Sequence, residues 1–352
     1  MPTPTPAPLH CDAAGKALLA RHAAWWQRRG TLYSEVSNAP LGPLWLPLAD
    51  GTTAQEDLDL TPEMLDLDRL AGEPLPPGPL EFWGDQIRTQ APYVRVPWVE
   101  AILGCPIRAT IQGGSMRSRA FVADWEDWRR RDRGRGRAWL ACLLELTELL
   151  VARSGGHYAV VQTLMRGPSD LAEAVLGPEL MCLSMYDHPQ ALTAFLEEVT
   201  EVFIETLRAQ LARIPPLEGG TVNPFGIWAP GTTARTQCDA SAFLAAQQYA
   251  RWFLPYDVRI AEAFDYTVIH LHSGSLHTVE PLLAVARPQA IQVTLDPEPS
   301  APPVEALVPR FRKILSGKAL ILDGPLAAEQ VELLRRELPQ DGLCILRRLG
   351  GW

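Results

Sequence analysis

The chain has 352 residues, 47% of them hydrophobic and 21% charged, with a formal net charge of -9. Such a composition is ordinary for a globular protein and leaves ample length for a large buried core. The acidic balance argues against a nucleic-acid partner, and the absence of any apolar run of roughly 18–20 residues argues against a membrane span. The densest basic stretch, Arg129–Arg137, is broken by Asp132 and reads as a solvated helix face or loop.

Residues 1–9 are rich in Pro and Thr, lack the basic-then-apolar order of a signal peptide, and read as a disordered lead-in to one domain spanning residues 10–352. Apolar spacing predicts helices over Leu18–Arg28 and Ala138–Ala152, while Tyr93–Ile107 reads as a strand and a turn. From there the pattern alternates. Strands are expected at Tyr158–Leu164, Thr221–Trp228, Tyr266–His272, Ala290–Leu295, Ala319–Leu322 and Leu343–Leu346. Helices are expected between them, over Leu192–Leu211, from about Ala240 to Phe253, and over Ala327–Glu337. Alternation of this kind predicts an α/β protein with a parallel sheet. The six cysteines are scattered without a CxxC pair, so no disulfide framework is expected and the cytoplasm is the expected location.

Five segments occur in an order that resembles the uroporphyrinogen decarboxylase and corrinoid methyltransferase superfamily. They are Gln162-Thr-Leu-Met-Arg-Gly-Pro-Ser-Asp-Leu-Ala172, Thr236-Gln-Cys-Asp-Ala-Ser241, Thr267-Val-Ile-His-Leu-His-Ser-Gly274, Ala290-Ile-Gln-Val293 and Leu320-Ile-Leu-Asp-Gly324. The resemblance implies a (β/α)8 TIM-type barrel, here with an elaborated N-terminal region, and a site at the carboxyl ends of the strands. It also implies one of two activities. The decarboxylases remove carboxyl groups from a porphyrinogen without metal or organic cofactor. The methyltransferases move a methyl group between a corrinoid, carried by a partner protein, and a thiol, using zinc held by a His-x-Cys pair and a later Cys. Here the His-x-Cys position reads His270-Leu-His272. The arginine-bearing N-terminal signature of the decarboxylases has no match, Trp25-Trp-Gln-Arg-Arg-Gly30 being the nearest basic stretch.

His270 and His272 are therefore the leading candidates, because residues two apart on a strand share a face and Ser273-Gly274 ends that strand. They suit two zinc ligands, with Asp323, Asp239 or Cys344 as third; metal-free contact with a substrate and a purely structural role are the alternatives. Asp323, before Gly324, reads as an acid/base or a turn residue. Asp239 reads as a site residue or, with Ser241, a helix cap. Arg166, before Gly167-Pro168, and Arg235 are candidates for holding an anionic group of a small-molecule substrate, and Trp228 for stacking on a flat ligand. The function expected first is methyl transfer. A metal-free decarboxylase or lyase comes second, and a non-catalytic barrel binding a tetrapyrrole or a partner third.

Overall fold

Four runs dense in apolar and β-branched residues lie in the interior of a six-stranded parallel sheet, where both faces are covered and alternation is not required. In the computed structural model, which describes residues 9–37 and 42–350, the strands are β1 (Leu32–Ser37), β2 (Thr233–Gln237), β3 (Tyr266–His272), β4 (Ala290–Thr294), β5 (Ala319–Gly324) and β6 (Leu343–Leu349). Their order is β1-β6-β5-β4-β3-β2, every neighbouring pair parallel. The fold is α/β. Among the described residues no helix is long and apolar enough to cross a membrane.

The chain divides into two compact units. The sheet belongs to the one formed by Leu9–Pro40, Leu80–Arg88 and Pro216–Trp352. Register decides what its faces carry, since paired residues point the same way. Val268, Ala290 and Ala319 stand level on one face, and His270, Gln292, Ile321 and Cys344 form the next layer towards the carboxyl ends. The lower part of this face is apolar: Trp25, Trp26, Val268, Ala290, Ala319 and Ile321 belong to one buried cluster. Its upper part is polar, carrying Gln237, His270, His272, Gln292, Thr294 and Asp323.

The other unit includes Leu41–Pro79 and Thr89–Pro215 and is largely helical. Of the six apolar positions whose spacing predicts helix Pro189–Leu211, it buries Leu192, Phe195, Val199, Phe203 and Leu207 and leaves Leu211 half-buried. Helices Trp98–Leu103 and Arg133–Arg153 meet at Gly136, where a Cβ would lie 2.1 Å from the Ile102 carbonyl oxygen.

Several expectations need correction. Thr221–Trp228 is not a sheet strand. It supplies the ends of a small antiparallel pair, Thr221–Val222 with Trp228–Ala229, and the sheet strand is the more polar Thr233–Gln237 that follows. Tyr93–Ile107 contains a helix, Trp98–Leu103, opened by Pro97 and closed by Gly104 in a left-handed conformation at φ 106°. Of Tyr158–Leu164 only Ala159–Val160 is a strand, paired with Thr89–Gln90. The edge strand β1 was not expected. Of the expected lead-in, residues 1–8 lie outside the described residues, and the Leu9 N–H donates to the Pro216 carbonyl at 2.8 Å.

Candidate metal centre

The polar end of the sheet face gathers three side chains from two strands. β3 presents His270 and His272 two residues apart, with ring centroids 4.8 Å from each other. β2 lies alongside with Gln237 level with His270, so the chain leaving β2 brings Asp239 across both rings. Asp239 Oδ1 is 3.6 Å from His270 Nε2, and Oδ2 is 3.8 Å from His272 Nε2. Among the described residues this is the one group of three or more His, Cys, Asp or Glu whose ligand atoms lie within 4.8 Å of one another.

Each imidazole is held by its other nitrogen. His272 Nδ1 lies 2.7 Å from Asp296 Oδ1, and because an ionised carboxylate only accepts, that nitrogen carries the hydrogen. Asp296 also accepts from Ser273 Oγ and Gly274 N, both at 3.3 Å. His270 Nδ1 bonds Gln292 Oε1, and the amide turns its Nε2 to Thr294 Oγ1 at 3.0 Å. Burial and the neighbouring Arg235 charge push the His270 pKa well below its ordinary value, so its ring is neutral at neutral pH. Its Nε2 then keeps a lone pair directed at Asp239.

The donor set fits a divalent zinc ion. The separations of 3.6 and 3.8 Å exceed a hydrogen bond but are close to the roughly 3.3 Å between two ligands each about 2.0–2.1 Å from zinc at a tetrahedral angle. A carboxylate or amide on the far nitrogen of each ring is the usual support of a ligating histidine. Beside His272 opens a cavity of about 290 Å³ with Ser241, Ser275 and Asp296 on its walls, and it gives access to the group from one side.

The remaining candidates fall elsewhere. Cys344 is level with His270 in the register but three strands away, about 14 Å along the sheet, and burial pushes its thiol well above its ordinary value. It stands outside the histidine group. Asp323 is engaged bidentately by Arg348, Nε–Oδ1 2.6 Å and Nη2–Oδ2 2.7 Å, and stands outside the histidine group. Arg235 is buried and donates to Gln237 Oε1. Trp228 is buried ahead of β2, its indole donating to the Leu217 carbonyl at 2.8 Å, and it does not line the cavity. Arg166 lies in the other unit, its Nε 3.1 Å from Oε1 of the buried Glu100. Sequence reasoning missed Gln237, Gln292 and Asp296. The available signal was a lone amide within an otherwise apolar strand, Ala290-Ile-Gln-Val293, and an acid just beyond that strand's end.

No protein-family model matches the chain, and no curated protein is similar to it. Among solved structures, a methyltransferase from Methanosarcina mazei has a similar fold, with a TM-score of 0.54 and 14% sequence identity. The likeness covers 95% of this chain and 93% of that one, and at this identity it speaks for the fold alone.

Proposed function

We propose that the protein is a zinc-dependent methyltransferase of the cytoplasm, built on a (β/α)8 barrel of which the six parallel strands form the greater part. Asp239, His270 and His272 hold the metal, and the small-molecule acceptor is a thiol that enters through the cavity beside His272. The observation that carries this reading is the convergence of two imidazole Nε2 atoms on one carboxylate, each ring fixed by a partner at its Nδ1. The fold likeness to a methyltransferase supports it, as does the polar layer at the carboxyl ends of the strands, where barrel enzymes place their sites.

Zinc, when bound, lowers a thiol's pKa and keeps it a thiolate at neutral pH. The chain's own residues supply the rest. Two imidazole ligands and one carboxylate would leave a bound divalent ion one net positive charge, enough to favour an anionic sulfur. Asp296 and Gln292 fix the rings, so that ligand geometry is set before substrate arrives. The thiolate sulfur then bonds the methyl carbon while that carbon's bond to the donor breaks and its electron pair leaves with the donor. The donor, a corrinoid carried by a partner protein, comes from the family resemblance.

A second reading rests on the Asp296–His272 pair. A carboxylate at Nδ1 suits a general acid or base, so in a metal-free decarboxylase or lyase His272 would protonate the product carbanion of a carboxylated substrate. Metal analysis separates the two. Purified protein should hold about one equivalent of zinc, and His270→Ala, His272→Ala and Asp239→Ala should each lose it together with methyl transfer to a thiol. Metal-free protein that turns over undiminished after chelation would leave only the second reading.

A further inference from the structure

The three proposed ligands are each gripped from behind, and the grip on Asp239 comes from its own strand. Arg235 and Gln237 alternate on one face of β2, with Asp239 two residues on, just past the strand end. Arg235 is 6% exposed and Gln237 5%. The Arg235 guanidinium donates to Gln237 Oε1, and Gln237 Nε2 donates to Asp239 Oδ2 at 2.8 Å.

The direction of this chain matters. A guanidinium has only donors, so it accepts one orientation of the glutamine amide, the one that turns oxygen towards it. The NH2 group then faces the other way, at Asp239. A glutamate at this position would satisfy Arg235 but set a second carboxylate against Asp239. An apolar residue would serve neither neighbour. Gln237 is thus a side chain that both ends can use, and the buried arginine keeps it from flipping.

We propose that Gln237, locked by Arg235, is a positioning residue that aims the Asp239 carboxylate at the metal, an inference that rests on the zinc reading above. It assigns Arg235 to orienting the site, where a substrate contact was expected. Without the amide N–H, Asp239 Oδ2 loses the donor that fixes its orientation, and metal binding has to supply that order. Outer hydrogen-bond partners of this kind typically account for about 10–100-fold in metal affinity.

The test uses Co2+ as a spectroscopic probe, titrated into the full-length apoprotein and into Gln237→Met and Gln237→Asn. Methionine matches the length of glutamine and removes both links; asparagine keeps the amide but is too short to span them, and guards against a methionine variant that does not fold. The expected result is one equivalent bound by wild type. Both variants should bind about 10–100-fold more weakly, with shifted visible bands, while their apoproteins still unfold in one cooperative transition. Wild-type binding with unaltered affinity and bands in folded variants would overturn the positioning role and leave the metal centre standing. No binding by wild type would overturn both.

Discussion

His22 is wholly buried, its Nε2 2.7 Å from the Asp85 carbonyl oxygen and its Nδ1 accepting the Trp228 N–H at 3.0 Å. Both ring positions are committed to the neutral form, because a proton on Nδ1 would point at an amide hydrogen. Burial lowers its pKa from 6.5 to about 4. The sign follows from linkage: between pH 6.5 and 4 the unfolded chain binds a proton that the folded one refuses, so stability falls as pH falls through that window. That depression corresponds to about 3 kcal/mol by pH 4. His22→Gln retains a donor and an acceptor without titrating. Urea unfolding at pH 7 and at pH 4.5 should therefore show a steeper loss for wild type than for the variant, whereas parallel losses would contradict this assignment. The same physics keeps His270 neutral, and there neutrality suits a metal ligand.

Among the elements, the approach of helices Trp98–Leu103 and Arg133–Arg153 depends on one missing side chain. Gly136 is buried, and the atom that an added Cβ would meet at 2.1 Å is backbone, which cannot swing aside. Gly136→Ala should therefore destabilise by about 1–3 kcal/mol despite alanine's better helix propensity, seen as a lower urea midpoint at an unchanged slope. An unchanged or raised midpoint would contradict the packing. This glycine sits in an Arg/Gly repeat that reads from sequence as a solvated face, because charge at Arg135 and Arg137 hides the buried position between them. The strands were legible to different degrees for equally local reasons. β3 announces itself by a run of apolar and β-branched residues, and its observed limits, Tyr266–His272, are those expected. β2 reads Thr-Ala-Arg-Thr-Gln and is buried throughout, its polar groups satisfied by partners invisible to periodicity. A six-residue helix such as Trp98–Leu103 offers fewer than two turns in which a helical period could register.

At the scale of the molecule, the candidate site depends on register. The sequence shows His270 and His272 as neighbours, but whether Asp239, Asp323 or Cys344 completes the group turns on which strand lies beside β3 and where its end falls. With β2 and β4 as the flanking strands, Asp239 comes within reach and Asp296 closes behind His272, while Cys344 is carried three strands away. Asp323 is turned to another purpose by Arg348, whose place at the far end of the chain no local pattern relates to it. The most direct test is X-ray absorption at the zinc edge of the metal-loaded protein. Nitrogen and oxygen scatterers are expected at about 2.0–2.2 Å, with two imidazole signatures and no protein sulfur before substrate is added. A sulfur scatterer at about 2.3 Å in the substrate-free protein, or a protein that takes up no zinc, would contradict that expectation.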